Sequence, residues 1–192
     1  WLGSVTLPRS GATAFTGDAG GNYVAYGTSI YRYTTAWTGK AAAGTASSSV
    51  HGLFLDGNLL LAVHSTGLYA RLTSFNRTTG AQLSTKEVYV DSLYGAAHAP
   101  GLNKLFGRTS GISPADIVMA GYTDAGVFSG PGGSPYHGDY PGASKTFVSP
   151  DERRVIDTSG TIYTTDNLTY LGALGGQVTD IEWNASAPIV LR

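Results

Sequence analysis

The chain has 192 residues, including 27 glycines and 12 tyrosines, and only 13% of its residues are charged. Gly, Thr, Ser and Tyr interrupt every window that could place apolar residues at helical spacing, so the composition favours an all-β chain with many tight turns. The net charge is -1 without runs of either sign and there is no cysteine, which excludes disulfides and thiolate metal sites and argues against nucleic acid as a partner. No apolar run is long enough to predict membrane insertion.

The first predicted strand covers residues 1–8, and it resembles residues 170–174 near the other end of the chain. From residue 11 onwards a unit of four predicted strands repeats, and we name these strands a, b, c and d. Turn formers such as Asp56-Gly57-Asn58 separate strands a and b. A second turn, such as Arg77-Thr78-Thr79-Gly80, separates strands c and d. Each unit is therefore predicted to fold as two consecutive hairpins.

The connection between strands b and c carries the clearest internal repeat. An apolar strand, a polar residue, two hydroxyl residues and a glycine lead into the next strand at residues 62–69 and 155–163, and related segments occupy residues 24–31 and 106–112. The repeated glycines at positions 27, 67, 111 and 160 are 40, 44 and 49 residues apart. This spacing is the period of one four-stranded propeller blade. We therefore predict an all-β chain folded as a β-propeller of antiparallel four-stranded blades.

The predicted blades form a single domain over residues 1–192. The bounds of its parts are 11–46 for blade 1, 47–90 for blade 2, 91–140 for blade 3, 143–175 for blade 4 and 177–192 for a partial closing blade. Residues 1–8 are predicted to complete the closing blade as its strand d, because pairing the first strand with the last removes free sheet edges. This gives a ring of about five blades. The alternative is a segment of a larger propeller, whose open edge strands an adjacent domain or subunit would cover.

Residues 148–155, Val-Ser-Pro-Asp-Glu-Arg-Arg-Val, resemble a motif of the bacterial YVTN-type repeat propellers. Those proteins have a strand, a Ser-Pro-Asp-Gly turn and a second strand at this point, and the present chain departs from the motif at Glu152, where glycine is usual. As a repeat pattern the resemblance covers nearly the whole chain. It implies a propeller fold and a location outside the cytoplasm. The low charge and the abundance of Thr, Ser, Gly and Tyr also favour a secreted or cell-surface protein.

Three polar residues occupy equivalent positions near the ends of the b strands in successive blades: His64, Arg108 and Asp157. In a propeller, such positions surround one mouth of the central channel. We therefore predict that the three side chains contribute to a polar ligand-binding site. The alternative is that they satisfy loop backbone groups or neighbouring side chains within the fold.

A second predicted binding element is the loop of residues 134–142, which contains Tyr136, His137, Asp139 and Tyr140. Tyrosine rings can stack on sugars or peptides, and His or Asp can add directional hydrogen bonds. The loop joins blade 3 to blade 4 on the face that carries the b-strand ends. The alternative is that Pro and Gly shape the connection while the rings pack over the adjoining blade. Because His137 and Asp139 have no third ligand nearby in sequence, we expect no metal site and no other cofactor.

Tyrosines 31, 69 and 163 recur at one position of the repeat. A recurring aromatic residue on a strand is better explained by packing between blades than by ligand binding. We therefore expect these three rings to lie in the core.

The repeat scaffold, the low charge and the lack of a recognisable catalytic cluster favour a non-enzymatic binding or structural module, with a protein or carbohydrate ligand on one rim. The first alternative is a carbohydrate-active enzyme of the glycoside hydrolase kind, which requires two or three converging carboxylates. Asp157 and residues Asp91, Asp139 and Asp180 are predicted on one face and supply its candidates. The second alternative is a lectin with one sugar site per blade, although the blades share no polar and aromatic binding motif.

Overall fold

The computed structural model describes residues 10–65, 69–88, 93–110, 112–185 and 187–192. Within this part of the chain there are eighteen β-strands and one short 3-10 turn at Pro100–Leu102, and no α-helix. The strands form four antiparallel sheets of four strands and one sheet of two strands. In each four-stranded sheet the strands are hydrogen-bonded in chain order. The predicted all-β propeller of four-stranded blades is confirmed.

Each four-stranded sheet is one blade, with its strands a to d in sequence. Blade 1 consists of β1 (Ala14–Asp18), β2 (Gly21–Tyr26), β3 (Ser29–Tyr33) and β4 (Ala41–Thr45). Blade 2 consists of β5 (Val50–Asp56), β6 (Leu59–Ser65), β7 (Ala70–Asn76) and β8 (Gln82–Val88). Blade 3 consists of β9 (Tyr94–Ala99), β10 (Lys104–Arg108), β11 (Ile117–Tyr122) and β12 (Phe128–Gly133). Blade 4 consists of β13 (Thr146–Val148), β14 (Arg154–Asp157), β15 (Thr161–Thr164) and β16 (Tyr170–Ala173).

The fifth sheet is a hairpin of β17 (Asp180–Asn184) and β18 (Ala187–Leu191), which we call the closing hairpin. Its strands take the places of strands a and b of the predicted partial blade. The predicted strand d of this blade, residues 1–8, lies outside the described residues.

Turns between strands follow the residue types that the sequence provides. Gly57 links β5 to β6 with a φ of 51°, a left-handed conformation that glycine adopts without a steric penalty. In blade 4 the corresponding turn contains Glu152, which has a φ of 53°. Glu152 thus adopts the left-handed backbone that glycine usually provides at this point of the motif. Its side chain has a separate contact, because Oε1 accepts a hydrogen bond from the backbone nitrogen of Gly101 in blade 3 at 3.1 Å.

Most of the hydrophobic core lies between neighbouring blades, and a further buried cluster around Val24, Tyr26 and Tyr33 lies on the face of blade 1 that points away from blade 2. Each strand b has apolar residues on both faces, and β6 is the clearest case because Leu60 and Ala62 pack towards blade 1 while Leu61 and Val63 pack towards blade 3. Similar clusters join blade 3 to blade 4 and blade 4 to the closing hairpin. Each blade therefore depends on the next one to bury its apolar surface, as in other stacked repeat proteins.

Polar contacts between blades add to this packing. Arg77 of blade 2 forms a bidentate ion pair with Asp18 of blade 1, and this contact raises the pKa of Arg77. Tyr122 of blade 3 donates a hydrogen bond to Asp56 of blade 2 at 2.7 Å. These contacts fix the register of adjacent sheets.

The expectation that the three repeated tyrosines form a core is only partly met. Tyr163 is buried and Tyr31 is half-buried, but Tyr69 is 39% exposed and the prediction for it is wrong. The reason is the register of blade 2. Tyr163 lies opposite Val155, and the residue that lies at the same place in blade 2, opposite Ala62, is Thr73.

The b–c connections and the links between blades emerge on one face of the propeller, because each strand b ends there and each strand a begins there. We call this side the upper face. Thr146, the first residue of β13, connects adjacent blades here, since its hydroxyl donates to the carbonyl oxygen of Phe106 at 2.8 Å and to that of Gly95 at 3.1 Å. The predicted site residues belong to this face.

Candidate functional site

Arg108 and Asp157 are the last residues of β10 and β14, in neighbouring blades. Their side chains form an ion pair in which Nη1 and Oδ2 are 3.0 Å apart, and they are 2% and 0% exposed. Nη2 of Arg108 also donates to the carbonyl oxygen of Ala115 at 2.7 Å and to that of Pro141 at 3.5 Å. The ion pair therefore ties blade 3, blade 4 and the loop of residues 134–142 together.

Asp157 also organises the b–c turn of blade 4. Its Oδ1 accepts hydrogen bonds from the backbone nitrogens of Ser159 at 3.0 Å and Thr161 at 3.4 Å, and from the hydroxyl of Ser159 at 2.5 Å. Burial raises the pKa of Asp157, and this effect exceeds the lowering by the Ser159 hydrogen bond and by the charge of Arg108. Because both of its oxygens are occupied, Asp157 acts here as a structural anchor for the upper face. Direct ligand binding by Arg108 or Asp157 stays a prediction and would require the pair to open.

His64 lies apart from this pair, in a hydrogen-bond chain of its own blade. Its Nδ1 is 2.8 Å from the hydroxyl of Ser48, and its Nε2 is 2.8 Å from the hydroxyl of Thr73, which is in turn 3.0 Å from that of Thr85. The imidazole is fully buried. Burial lowers the pKa of His64 to about 4, with smaller contributions from nearby positive charge. The imidazole is therefore neutral at pH 7, and its role in binding a ligand also stays a prediction.

One carboxylate of blade 3, that of Asp116, holds two residues of the 134–142 loop. Oδ2 of Asp116 is 2.7 Å from Nδ1 of His137, and its Oδ1 accepts the backbone N–H of Gly138 at 3.0 Å. Two hydrogen bonds hold Asp116 at the end of the b–c connection: its carbonyl oxygen accepts the backbone N–H of Thr109, and its own backbone N–H donates to the Thr109 hydroxyl. His137 and Asp139 remain exposed on the loop. The loop is thus held in place while two of the predicted binding residues face solvent.

The two tyrosines of the loop pack against blade 4. Tyr140 stacks on Tyr170 with ring centroids 4.8 Å apart and an angle of 14° between the ring planes. It also meets Tyr163 edge-on at 5.7 Å, and Tyr136 meets Tyr140 edge-on at 5.2 Å. Tyr136 and Tyr140 are both half-buried. In this structure their rings therefore form a packed aromatic cluster with Tyr163 and Tyr170 of blade 4.

A cleft of about 690 Å³ opens on the upper face directly beside the ion pair. Its walls come from the b–c connections of blades 3 and 4, from the blade 3 to blade 4 link, and from the closing hairpin with its link. The lining residues include Ala115, Gly142, Ser144, Thr158, Gln177 and Arg192. Ala115, Gly142 and Thr158 each contain or adjoin a group that the Arg108–Asp157 pair holds. Because the buried pair holds these groups, we take the cleft as the candidate functional site.

The chemistry of the cleft is that of neutral hydrogen bonding with one cation. Hydroxyl groups of Ser144 and Thr158 and the amide of Gln177 can donate or accept, and Arg192 provides a guanidinium group. That guanidinium is oriented by the carbonyl oxygens of Leu174 and Gly175, at 2.6 and 3.2 Å. Among the described lining residues there is no aspartate or glutamate side chain.

Of the four carboxylates named for a glycoside hydrolase, the three in the described part of the chain do not converge on this cleft. Asp157 is paired with Arg108 below it, Asp139 is exposed on the loop, and Asp180 forms an ion pair with Lys145 at 3.0 Å. Asp91 lies outside the described residues. The described part of the chain also contains no group of three or more His, Asp or Glu side chains that could hold a metal ion. No helix in that part is long and apolar enough to cross a membrane.

Several residues of the site could not be found by reading the sequence. Asp116, which holds the loop, belongs to no repeated position. Tyr170, which also holds it, aligns with Trp1 as the start of a strand d, and that alignment does not indicate a contact with the loop. Gly142, Ser144 and Thr158 are residue types that turns require everywhere in this chain. Only the hydroxyl residues after each b strand, as at Thr158, gave a repeated signal, and that signal is equally typical of a tight turn.

The comparisons with known proteins agree with the fold and extend no further. No family model matches the chain, and no curated protein sequence matches it. Among solved structures, the β-propeller domain of Cps50 (Swd1) from Myceliophteria thermophila is 16% identical, with a TM-score of 0.65 over 93% of this chain and 61% of that one. Hydrazine synthase from Kuenenia stuttgartiensis is 12% identical, with a TM-score of 0.60 over 77% of this chain and 50% of that one.

The computationally designed protein Ika4 is 14% identical to this chain, with a TM-score of 0.58 over 89% of this chain and 100% of its own. The chain thus spans the full length of one similar structure and about half to three fifths of two others. At these levels of identity the similarity concerns the fold alone. The chain folds as a β-propeller whose upper face carries a polar cleft built on a buried ion pair.

Proposed function

We propose that this chain is a non-enzymatic binding module that holds an extended peptide segment of a protein partner in the cleft of its upper face. The observation that carries the proposal is the position of the cleft beside the Arg108–Asp157 pair. The pair fixes the backbone on two sides of the cleft, so the walls are organised before a ligand arrives. Preorganised walls reduce the entropic cost of binding.

The lining chemistry supports a peptide as the ligand. A peptide backbone presents alternating donors and acceptors, and the Ser144 and Thr158 hydroxyls and the Gln177 amide can serve either role. Sugars are usually gripped by an exposed aromatic face, but Tyr140 uses its ring against Tyr170 and lies outside the cleft. Carbohydrate is therefore the second choice for this cleft.

The composition supports a place for this module in a secreted or cell-surface protein, since charged residues are few and Thr, Ser, Gly and Tyr are abundant. Antibody labelling of intact and permeabilised cells of the source organism tests this part of the proposal. Labelling that requires permeabilisation would contradict it.

The binding proposal is tested by selecting ligands from a random peptide display library and, in parallel, from a glycan array. Gly142→Trp is the blocking variant, because Gly142 lines the cleft and a Cβ atom added at this position meets no heavy atom within 4 Å. Gly130→Trp is the matched control, since Gly130 also has open space around it but lies on β12, away from the cleft. Neither glycine has a left-handed backbone, so both substitutions should leave the fold intact.

We expect peptides to be enriched and their affinity to fall about tenfold or more with Gly142→Trp, which corresponds to about 1.4 kcal/mol. The same peptides should bind the Gly130→Trp variant like the original protein. Enrichment of glycans alone, or peptide binding that Gly142→Trp leaves unchanged, would overturn the proposal.

A further inference from the structure

Among the described residues that line the cleft on the upper face, Arg192 has the only ionisable side chain. Its guanidinium carries several N–H donors in a fixed plane. Nη2 donates to the carbonyl oxygen of Leu174 at 2.6 Å, and Nη1 donates to that of Gly175 at 3.2 Å. These two bonds orient the group and use only part of its donors, so the others are available to a ligand.

Two consecutive glycines shape the backbone that holds this guanidinium. Gly175 and Gly176 lie in the link between blade 4 and the closing hairpin, with φ angles of 75° and 143° that favour glycine. A Cβ atom at Gly176 would lie 2.8 Å from Nη1 of Arg192. The link therefore approaches the guanidinium this closely because position 176 has no side chain. The cation is held in place before a ligand arrives.

The charge of Arg192 is not offset by an acidic side chain. No Asp or Glu in the described part of the chain forms an ion pair with it. Asp180, which follows a lining residue, pairs with Lys145 at 3.0 Å. Asp116, which follows another, directs both of its oxygens at the 134–142 loop. The cleft therefore retains a positive charge that a ligand can neutralise.

A carboxylate is the anion that fits these groups best. Guanidinium groups bind carboxylates through two parallel hydrogen bonds, which are stronger than bonds between neutral groups. The hydroxyls of Ser144 and Thr158 lie in the same cleft and can donate to a ligand there. A phosphate group would bring about two negative charges, whereas the described lining residues provide one cation. A single negative charge matches the cleft.

We propose that a carboxylate of the peptide ligand binds Arg192 and anchors the peptide in the cleft. The group is either the α-carboxylate at the end of a chain or the side-chain carboxylate of an Asp or Glu residue. This anchor rests on the proposed peptide-binding function and adds to it the charged group that the peptide must contain.

The first test uses the peptides enriched in the display selection, each synthesised in three forms. One form has a free C-terminal carboxylate, one has a C-terminal amide, and one has Asn and Gln in place of every Asp and Glu. Each form is titrated against the original protein and against Arg192→Gln, which should leave the fold intact because Arg192 is exposed. Arg153→Gln is the matched control, since Arg153 is also exposed but lies in the a–b turn of blade 4, on the opposite face.

We expect Arg192→Gln to weaken binding of the free acid about fivefold, which corresponds to about 1 kcal/mol, the upper part of the range for an ion pair open to solvent. Removal of the anchoring carboxylate should cost about the same, and the two changes together should cost little more than either one. A loss with the amide identifies the α-carboxylate, and a loss with the Asn and Gln form identifies a side chain. Peptides that bind equally well in all three forms, or that lose as much affinity with Arg153→Gln, would overturn the proposal.

A small carboxylate separates this anchor from the peptide-binding function. N-acetylglycine has a carboxylate, and N-acetylglycinamide in matched sodium chloride is its neutral counterpart. In the ¹⁵N-labelled chain, the Nε–H resonance of Arg192, assigned by its loss in Arg192→Gln, should shift with the acid and not with the amide, while that of Arg153 stays in place. An unchanged Arg192 resonance would overturn the anchor even if peptides bind the cleft. A shift without any enriched peptide would support the carboxylate site and contradict the peptide-binding function.

Discussion

At the scale of single residues, burial of the Arg108–Asp157 pair determines how much free energy of unfolding is lost when one partner is changed. We expect Arg108→Met to lower the free energy of unfolding by about 3–5 kcal/mol, because it leaves the Asp157 carboxylate buried without its cation. Asp157→Asn should also be costly, since it leaves the Arg108 guanidinium unpaired while keeping the oxygen that accepts the turn hydrogen bonds. Urea unfolding of each variant measures these differences.

The double variant separates the charge effect from the loss of contacts. Arg108→Met with Asp157→Asn removes both charges, so its destabilisation should be smaller than the sum of the two single changes by more than about 1 kcal/mol. Additive effects of the two changes would mean that the charges are not coupled, in conflict with the 3.0 Å contact.

Burial of His64 predicts that the free energy of unfolding decreases as the pH falls. Its pKa falls from 6.5 in the unfolded chain to about 4 in the folded protein, chiefly because burial disfavours the charged imidazole. A group with a lowered folded pKa contributes its full stabilisation above pH 6.5 and loses it as the pH falls towards 4. The free energy of unfolding should therefore decrease by about 3 kcal/mol over this range from His64 alone.

The measurement is a series of urea unfolding curves between pH 7 and pH 4. His64→Gln should flatten the decrease, although not abolish it, because burial also lowers the pKa of His98. His137→Gln is the control, since it removes an imidazole from the exposed loop. If the His64→Gln protein and the original protein lose stability in parallel, the buried neutral state of His64 is wrong.

At the scale of strands and turns, two glycines with similar backbones have different surroundings. Gly160 in the b–c turn of blade 4 and Gly57 in the a–b turn of blade 2 have φ angles of 84° and 51°. A Cβ atom at Gly160 would lie 2.3 Å from the carbonyl oxygen of Gly176, which links blade 4 to the closing hairpin, whereas one at Gly57 meets no atom within 4 Å. Only Gly160 is therefore required by close packing as well as by its backbone.

We expect Gly57→Ala to cost about 1–2 kcal/mol, the penalty of a left-handed conformation for a residue with a Cβ atom. Gly160→Ala should cost about 1–3 kcal/mol more, because the backbone of the link must move. Chemical unfolding of the two variants under identical conditions measures the difference. Equal losses of stability would indicate that the link at Gly176 yields easily and that the turn does not position the closing hairpin.

The sequence predicts the strands of this fold well because each strand boundary is a local property. Turn residues such as Asp56-Gly57-Asn58 favour a particular backbone wherever they occur. The short apolar runs between these turns are then predicted as strands. The alignment of the tyrosines failed at Tyr69 because its register depends on cross-strand pairing in blade 2, which spacing along the chain does not reveal. Local signals thus determine where strands begin and end more reliably than which side chain faces the core.

The candidate site was predictable only in part, for a related reason. The repeat placed His64, Arg108 and Asp157 at equivalent strand ends, and the structure has them near those ends. It did not indicate that Arg108 would reach Asp157, 49 residues away, while His64 bonds within its own blade. Which side chains Arg108 and His64 contact depends on the angle and spacing between sheets, and these are properties of tertiary packing.

At the scale of the whole molecule, each blade is stabilised by its neighbours, so the ends of the array are its weakest points. The closing hairpin has only two strands among the described residues, and β18 is at its edge. Residues 1–8 match strand d of blade 4 in sequence, which supports the proposal that they pair with this edge as a closing strand.

Hydrogen exchange tests the closing strand directly. The amides of alternate β18 residues point away from β17, because alternate residues of an antiparallel strand bond to opposite sides; Pro188 has no amide hydrogen and does not count among them. If residues 1–8 pair with this edge, those amides should exchange slowly in the full chain and rapidly after residues 1–8 are deleted, while amides of the central strand β6 stay protected in both. Fast exchange at the β18 edge in the full chain would mean that residues 1–8 lie elsewhere and that the fifth blade needs its remaining strands from outside this sequence.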